Sequence, residues 1–279
     1  MKRSTSFIIL TAVYALATVV GVFTYLALSG DVWLKLLIAD CLATVVTFVF
    51  SLIFRNASVY DPYWSVQPLV IAFAFLFGYK GTLASVLIVI ALSLWGVRLT
   101  ANWAYTFHGL KHQDWRYTML KEKTGVLYPF VNFFGIHLVP TLVVYACTLP
   151  VVYVITAQAT FSAWILIGFF ICLFSVLVQG TADVQMHAYR KKRTTPFIRV
   201  GLWKYSRHPN YLGEIGMWWG VCAYGLAVLG FHWYLLIGAI SNTLLFLCIS
   251  IPLADGRQAK KDGFAEYKRQ TRMLLPIKK

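Results

Sequence analysis

Charged side chains are scarce in this sequence. Asp, Glu, Lys and Arg make up 13% of its 279 residues, against about a quarter in a soluble globular domain. That shortage, with 59% hydrophobic residues and a mean hydropathy of +0.68, excludes an ordinary soluble fold. Acids are the rarest class: ten, against 25 Lys and Arg, for a formal charge of +15. The five cysteines, at 41, 147, 172, 222 and 248, lie in apolar runs and never at C-x-x-C spacing. They argue against a disulfide framework or zinc site and read as small buried hydrophobes. G-x-S-x-G, P-loop and Rossmann patterns are all missing. His108 and His112 have metal-compatible spacing, but six scattered histidines are too few for a membrane di-iron site, so no metal is expected. The positive charge comes with no nucleic-acid motif, and no nucleic-acid partner is expected.

What the chain has in excess is long apolar runs. A membrane helix needs roughly 20 mostly apolar residues. Eight runs qualify: 7–28, 34–54, 64–78, 83–105, 127–154, 161–179, 211–229 and 233–253. The third is short, and the fifth contains Pro129, Pro140 and Pro150, which kink helices. Seven or eight membrane helices are therefore expected, in an all-α bundle forming one domain over 1–279. The first run exceeds the roughly 7–15 residues of a signal-peptide core, so it is read as a membrane helix. Of the 25 basic residues, only Lys35 and Lys80 fall in loops on one side. By the positive-inside rule both termini are then cytoplasmic. Anionic membrane lipids are natural partners of such a surface. The C-terminal lysines are not placed as a dilysine retrieval signal, which favours a bacterial inner membrane over endoplasmic reticulum.

Three polar stretches, 107–124, 183–210 and 255–279, fall on that basic side. In the last, Phe264, Tyr267, Met273 and Leu274 are expected to face the membrane surface, with Lys260, Lys261, Lys268 and Arg269 facing solvent or phosphates. The stretches 183–214 and 255–279 are predicted to form a cytoplasmic cap. Asp183, His187 and Arg190 recur at i, i+4, i+7 and share a helix face. Arg190, Arg193 and Arg199 form a dense cationic run that can hold phosphate oxygens, or simply stop a membrane helix. Pro209 suits the first turn of a helix, with Ser206 or His208 as its cap. Such an N-terminus beside Arg207 is a prepared anion site. Asn210 and Glu214 share one face just inside the membrane, where an unpaired acid is costly and hence a functional candidate. Together they suit recognition of a carboxamide, or lock two helices together.

The run G-L-W-x-Y-x-R-H-P-N-Y-x-G-E over 201–214, with Asp183 upstream, resembles the C-terminal domain of the steroid 5α-reductase superfamily. Asp61-Pro62-Tyr63-Trp64-Ser65, Arg98 and Asp114-Trp115-Arg116-Tyr117 resemble a mainly bacterial branch of it. The resemblance covers most of the chain from residue 60 onward. It implies a membrane bundle that binds NADPH on the cytoplasmic side and reduces an activated carbon–carbon double bond of a lipid-soluble, steroid-like or isoprenoid substrate. It also implies cofactor contacts from Asp183, Arg190 and Arg98, and places Asn210 and Glu214 near the nicotinamide. The expected cofactor set is completed by Arg116, Arg193, Arg199, Tyr205, Arg207, His208 and Tyr211.

One part of the pattern departs from the family. The 5α-reductases polarise the steroid ketone with a Gln-Glu pair followed by Leu-Pro and a Tyr on the next helix. Here Trp64-Ser65-Val66-Gln67-Pro68 lacks the Glu, and Trp95 stands near the Tyr. Asp61, Tyr63 and Tyr105 become the candidate acids. The R-H-P-x-Y-x-G piece alone also resembles isoprenylcysteine carboxyl methyltransferase and related S-adenosylmethionine-dependent membrane enzymes. The leading expectation is thus an NADPH-dependent membrane reductase. The alternatives are a membrane methyltransferase and a non-catalytic lipid- or sterol-binding protein.

Overall fold

The computed structural model describes residues 2–276. Met1 and Lys279, both expected on the cytoplasmic side, lie outside the described residues. The chain folds as α1 (Arg3–Ala27), α2 (Val32–Ile53), α3 (Tyr63–Gly78), α4 (Leu83–Thr106), α5 (Trp115–Thr124), α6 (Tyr128–Phe130), α7 (Val139–Thr156), α8 (Ile165–Lys192), α9 (Pro209–Leu229), α10 (Leu236–Leu245), α11 (Ile251–Gln258) and α12 (Phe264–Gln270). Among the described residues, seven helical stretches are long and apolar enough to cross a membrane. The sixteen-residue α3 runs between the same two ends of the bundle but is shorter than these. Its core contacts explain how it persists: Tyr63, Gln67 and Phe75 are buried, and Gly96 of α4 lets the two helices close in, with a virtual Cβ only 2.9 Å from Ser65 O.

The prolines of the fifth run differ in effect: Pro150 is accommodated inside α7. Pro140 lies in the first turn of α7, just after an eight-residue π-helix, Val131–Leu138. A second π-segment, Phe246–Ser250, precedes Pro252 at the start of α11. A proline removes one helical donor, and the wider turn absorbs the mismatch.

Within lipid the apolar faces gain little by meeting each other, so close packing of small residues drives association. The α8–α9 pair is built this way. A Cβ on Gly168 would lie 2.5 Å from Tyr224 N, one on Gly216 2.5 Å from Ser175 Oγ, and one on Gly220 2.6 Å from Cys172 Sγ. Gly168, Cys172, Ser175 and Gln179 of α8 thus meet Gly213, Gly216 and Gly220 of α9 backbone to backbone. Gly168→Ala is expected to cost about 1–3 kcal/mol, as overpacking does, and to lower the melting temperature in detergent. Gly256→Ala, with no atom within 4 Å of its Cβ, serves as the neutral control. Equal melting of the two variants would reject the tight seam.

The polar stretches gather at one end. Arg3 donates to Ala104 O at 2.6 Å, His187 meets Asn102 Oδ1 at 2.7 Å, and Arg207 pairs with Asp255 at 2.9 Å. The start of α1, the ends of α4, α8 and α11 and the start of α9 therefore share this end. One reading of the C-terminal stretch changes. Phe264 and Tyr267 do not face the membrane surface; they are buried against Phe197 inside the cap. The Tyr267 hydroxyl donates to Trp203 O, and burial pushes its pKa well up.

Candidate functional site

Three helices converge where the bundle meets its polar end. Arg98, near the end of α4, donates to Asp183 of α8 at 2.5 Å and also to Gln179 Oε1. Gln179 packs against Gly213 of α9, and the absence of a side chain there is what lets the helices touch. Asn210, Gly213 and Glu214 are spaced i, i+3, i+4 and share the α9 face turned to α8 and α4. Each Glu214 carboxylate oxygen accepts from an indole: Trp95 Nε1 of α4 at 2.8 Å and Trp218 Nε1 at 3.0 Å. Glu214 is buried at 4% exposure. Among the described residues it has no salt bridge, so the lock between helices is a neutral-donor one. Trp95 and Trp218 thus position this acid.

Three buried polar atoms at this junction have no hydrogen-bond partner: Arg98 Nε, Gln179 Nε2 and Asn210 Oδ1. Two are donors and one is an acceptor. Buried groups of this kind are normally satisfied. Arg98 and Asp183 pair directly, and Glu214 and Asn210 lie on the α9 face turned to them. Gln179 is an addition that sequence spacing hides, because its part depends on packing against Gly213.

The cationic run also meets partners distant in sequence. Arg190, Arg193 and Arg199 are exposed. Arg193 adopts a left-handed conformation, φ 44°, at the end of α8. Lys261 has its pKa lowered by burial first and then by the charges of Arg257 and Arg193. Arg257 in turn stacks over Trp115 at 4.4 Å. The ends of α8 and α11 thus crowd like charges beside the start of α5, a field that attracts polyanions.

Arg116 pairs with Asp114 at 2.8 Å, and both act on Tyr211 together with Asp183. The first turn of α9 is thereby joined to α5. Tyr211 stacks flat on His208, centroids 5.2 Å apart and planes 5° apart. Tyr205 is exposed, with Lys204 over its ring.

Arg207 and His208 have a different place from the one expected. Both are buried, and both bind Asp255 of α11: Arg207 Nη2 at 2.9 Å and His208 Nε2 at 2.9 Å. Arg207 also donates to Thr271 O at 2.6 Å from Nη1, and to Arg272 O at 3.0 Å from its backbone. They hold the C-terminal segment onto the cap instead of lining an anion site at the helix N-terminus. Nor do Ser206 or His208 cap α9, which makes no side-chain cap bond. Ser206 Oγ accepts from His208 N–H at 3.3 Å and donates to Met273 O at 3.4 Å.

The three candidate acids are dispersed. Asp61 accepts from Tyr117 OH at 2.7 Å beside Arg116. Tyr63 donates to Asp40 Oδ1 at 2.9 Å in the bundle interior. Tyr105 is exposed and edges onto His187. Burial pushes Asp61 up to about 6, against the opposing pull of Arg116 and Tyr117. An aspartate raised in the folded state holds its proton longer there than when unfolded, near pH 4. Stability is thus expected to fall as pH rises from about 4 through about 6. Asp61→Asn should flatten a melting-temperature profile across that window. A parallel profile for both proteins would remove Asp61 as its source. Asp40, which sequence analysis passed over, was detectable in principle as the lone acid within an apolar run.

These features define a multi-pass α-helical membrane protein whose polar chemistry is concentrated at one end of the bundle. The chain belongs to the DUF1295 family, described as "Protein of unknown function (DUF1295)", which it matches over residues 47–271. It is 28% identical over 200 residues to an uncharacterized protein of Schizosaccharomyces pombe, covering 61% of this chain and 58% of that protein. It is 29% identical over 131 residues to methanethiol S-methyltransferase 1 of Bradyrhizobium diazoefficiens, covering 46% of this chain and 43% of that protein. The chain thus spans about half the length of these curated relatives. No solved structure matches it.

Proposed function

We propose that the protein is an NADPH-dependent membrane reductase acting on an activated double bond of a lipid-soluble substrate, with its cap on the cytoplasmic side. The observation that carries this reading is the crowding of Arg193, Arg257 and Lys261 at the same end of the bundle as a junction with two unpaired donors and one unpaired acceptor. A dinucleotide phosphate brings several negative charges to such a field, and its carboxamide offers both a donor and an acceptor. The residues therefore fit the cofactor at both ends. When bound, NADPH supplies a hydride to the β-carbon of the substrate. Asn210 Oδ1 would accept from the carboxamide, and Gln179 Nε2 or Arg98 Nε would donate to it. Glu214 and its two indoles keep the α9 face rigid behind them. Asp61, near neutral in pKa and paired with Tyr117, is the group suited to return a proton to the α-carbon.

A second reading, an S-adenosylmethionine-dependent membrane methyltransferase, is favoured by the likeness to the Bradyrhizobium enzyme. That likeness speaks for it more directly than any relative speaks for the reductase. Charge argues the other way, since a sulfonium cofactor carries positive charge and no phosphate. The two readings part on one experiment. Purified protein in detergent is melted with NADPH, NADH or S-adenosylmethionine. NADPH at a hundredfold excess over its Kd should stabilise by about 2.7 kcal/mol. Arg193→Ala should weaken that binding by about 1.5–3 kcal/mol, as loss of a charge-assisted contact does. Stabilisation by S-adenosylmethionine with none from NADPH would replace the reductase with the methyltransferase.

A further inference from the structure

A cavity of about 410 Å³ lies among α1, α2 and α3. That falls within the roughly 300–1,000 Å³ of small-molecule pockets. Its walls are mostly apolar, with Gly21 on α1, Ala43 on α2 and Ala74 on α3 leaving room. One polar locus interrupts them, formed by Asp40, Tyr63 and Gln67, at 4%, 6% and 8% exposure. Tyr63 OH donates to Asp40 Oδ1 at 2.9 Å, and Gln67 Nε2 donates to Asp40 Oδ2 at 2.6 Å. The carboxylate thereby accepts from both side chains and orients the Gln67 amide. What remains is Gln67 Oε1, buried and without a partner. A buried acceptor left unpaired carries a desolvation penalty that a suitable donor would remove.

We propose that this cavity binds a lipid-soluble alcohol whose hydroxyl donates to Gln67 Oε1 while its hydrocarbon fills the space between α1 and α3. The group left unpaired is an acceptor, Gln67 Oε1, which a hydroxyl can satisfy and a ketone or an ether cannot. This assignment is independent of the cofactor, because Asp40, Tyr63 and Gln67 lie in the bundle interior and take no part in the cap.

The test uses the full chain in detergent, with no cofactor added. Tritiated geranylgeraniol is displaced either by unlabelled geranylgeraniol or by its methyl ether, which differs only in lacking the donor. The alcohol is expected to compete at least tenfold better. Thr18→Phe, which fills the cavity from α1, should abolish specific binding. Gln67→Met should bring alcohol and ether to equal potency. Equal competition by the ether in the unmodified protein, or full binding by Thr18→Phe, overturns the proposal. Those two measurements decide the matter even if Gln67→Met fails to fold. Because no nucleotide is present, a negative result leaves the reductase reading to its own melting test.

Discussion

Asp255→Ala is expected to release the C-terminal segment from the cap and lower stability by about 3–5 kcal/mol, the cost of removing one partner from a buried ion pair. Arg207 and His208 converge on this single carboxylate, and both are buried. Without it, a guanidinium remains in an enclosed site with only Thr271 O as acceptor. The other anchors of the segment after α11 are bonds between residues 203–207 and residues 267–273 and the packing of Phe264 and Tyr267 on Phe197. Trypsin should therefore cut among Lys260, Lys261, Lys268 and Arg269 before the bundle melts. Asp255→Asn keeps one acceptor and should fall between the two. Unchanged melting and unchanged cleavage of Asp255→Ala would show that the segment is held by its aromatic contacts alone.

Glu214→Gln tests the other buried acid, with a different signature. Both carboxylate oxygens accept from indole N–H groups. A glutamine can accept from one indole but sets its NH₂ against the other. Leaving one donor unsatisfied costs about 1–3 kcal/mol, so the ligand-free variant should melt earlier. In the reductase reading the displaced α9 face also misplaces Asn210, and small misplacements can cost about a hundredfold in rate. Turnover of a lipid-soluble enone should then fall far more than NADPH affinity, which rests largely on the cap's cations. A lowered melt with full turnover would leave Glu214 as a packing residue only. An unchanged melt would mean that the indoles do not hold it.

Much of the architecture was legible in the residues. Apolar runs of membrane length and the one-sided distribution of Lys and Arg anticipated the helices and the gathering of polar stretches at one end. Asn210, Glu214, Asp183 and Arg98 were singled out by spacing and resemblance; Arg98 pairs with Asp183, and the other two lie on the α9 face turned to them. The errors concern partners. Arg207 beside a helix start looks like an anion ligand when read locally, yet an aspartate 48 positions away claims it. Glu214 suggested a carboxamide contact or a lock between helices, and the partner that reaches it is Trp95, 119 positions away. Phe264 and Tyr267 resemble a membrane-facing stripe until Phe197 arrives from another loop to cover them. In each case local spacing states what a side chain can bind, while helix packing decides what it does bind.

The seam between α8 and α9 acts as a gauge. Gly168 lies fifteen residues before Asp183, roughly 22 Å along the helix. Where backbone meets backbone there is no slack side chain to absorb a slip. Sliding α8 by a single residue would shift Asp183 by about 1.5 Å and swing it through about 100° relative to Asn210. The separation of the two polar groups at the membrane surface is therefore set by glycines deep in the bilayer. Changes in that apolar stretch can retune the polar end without touching it, as trimming the foot of a ladder moves its top rung.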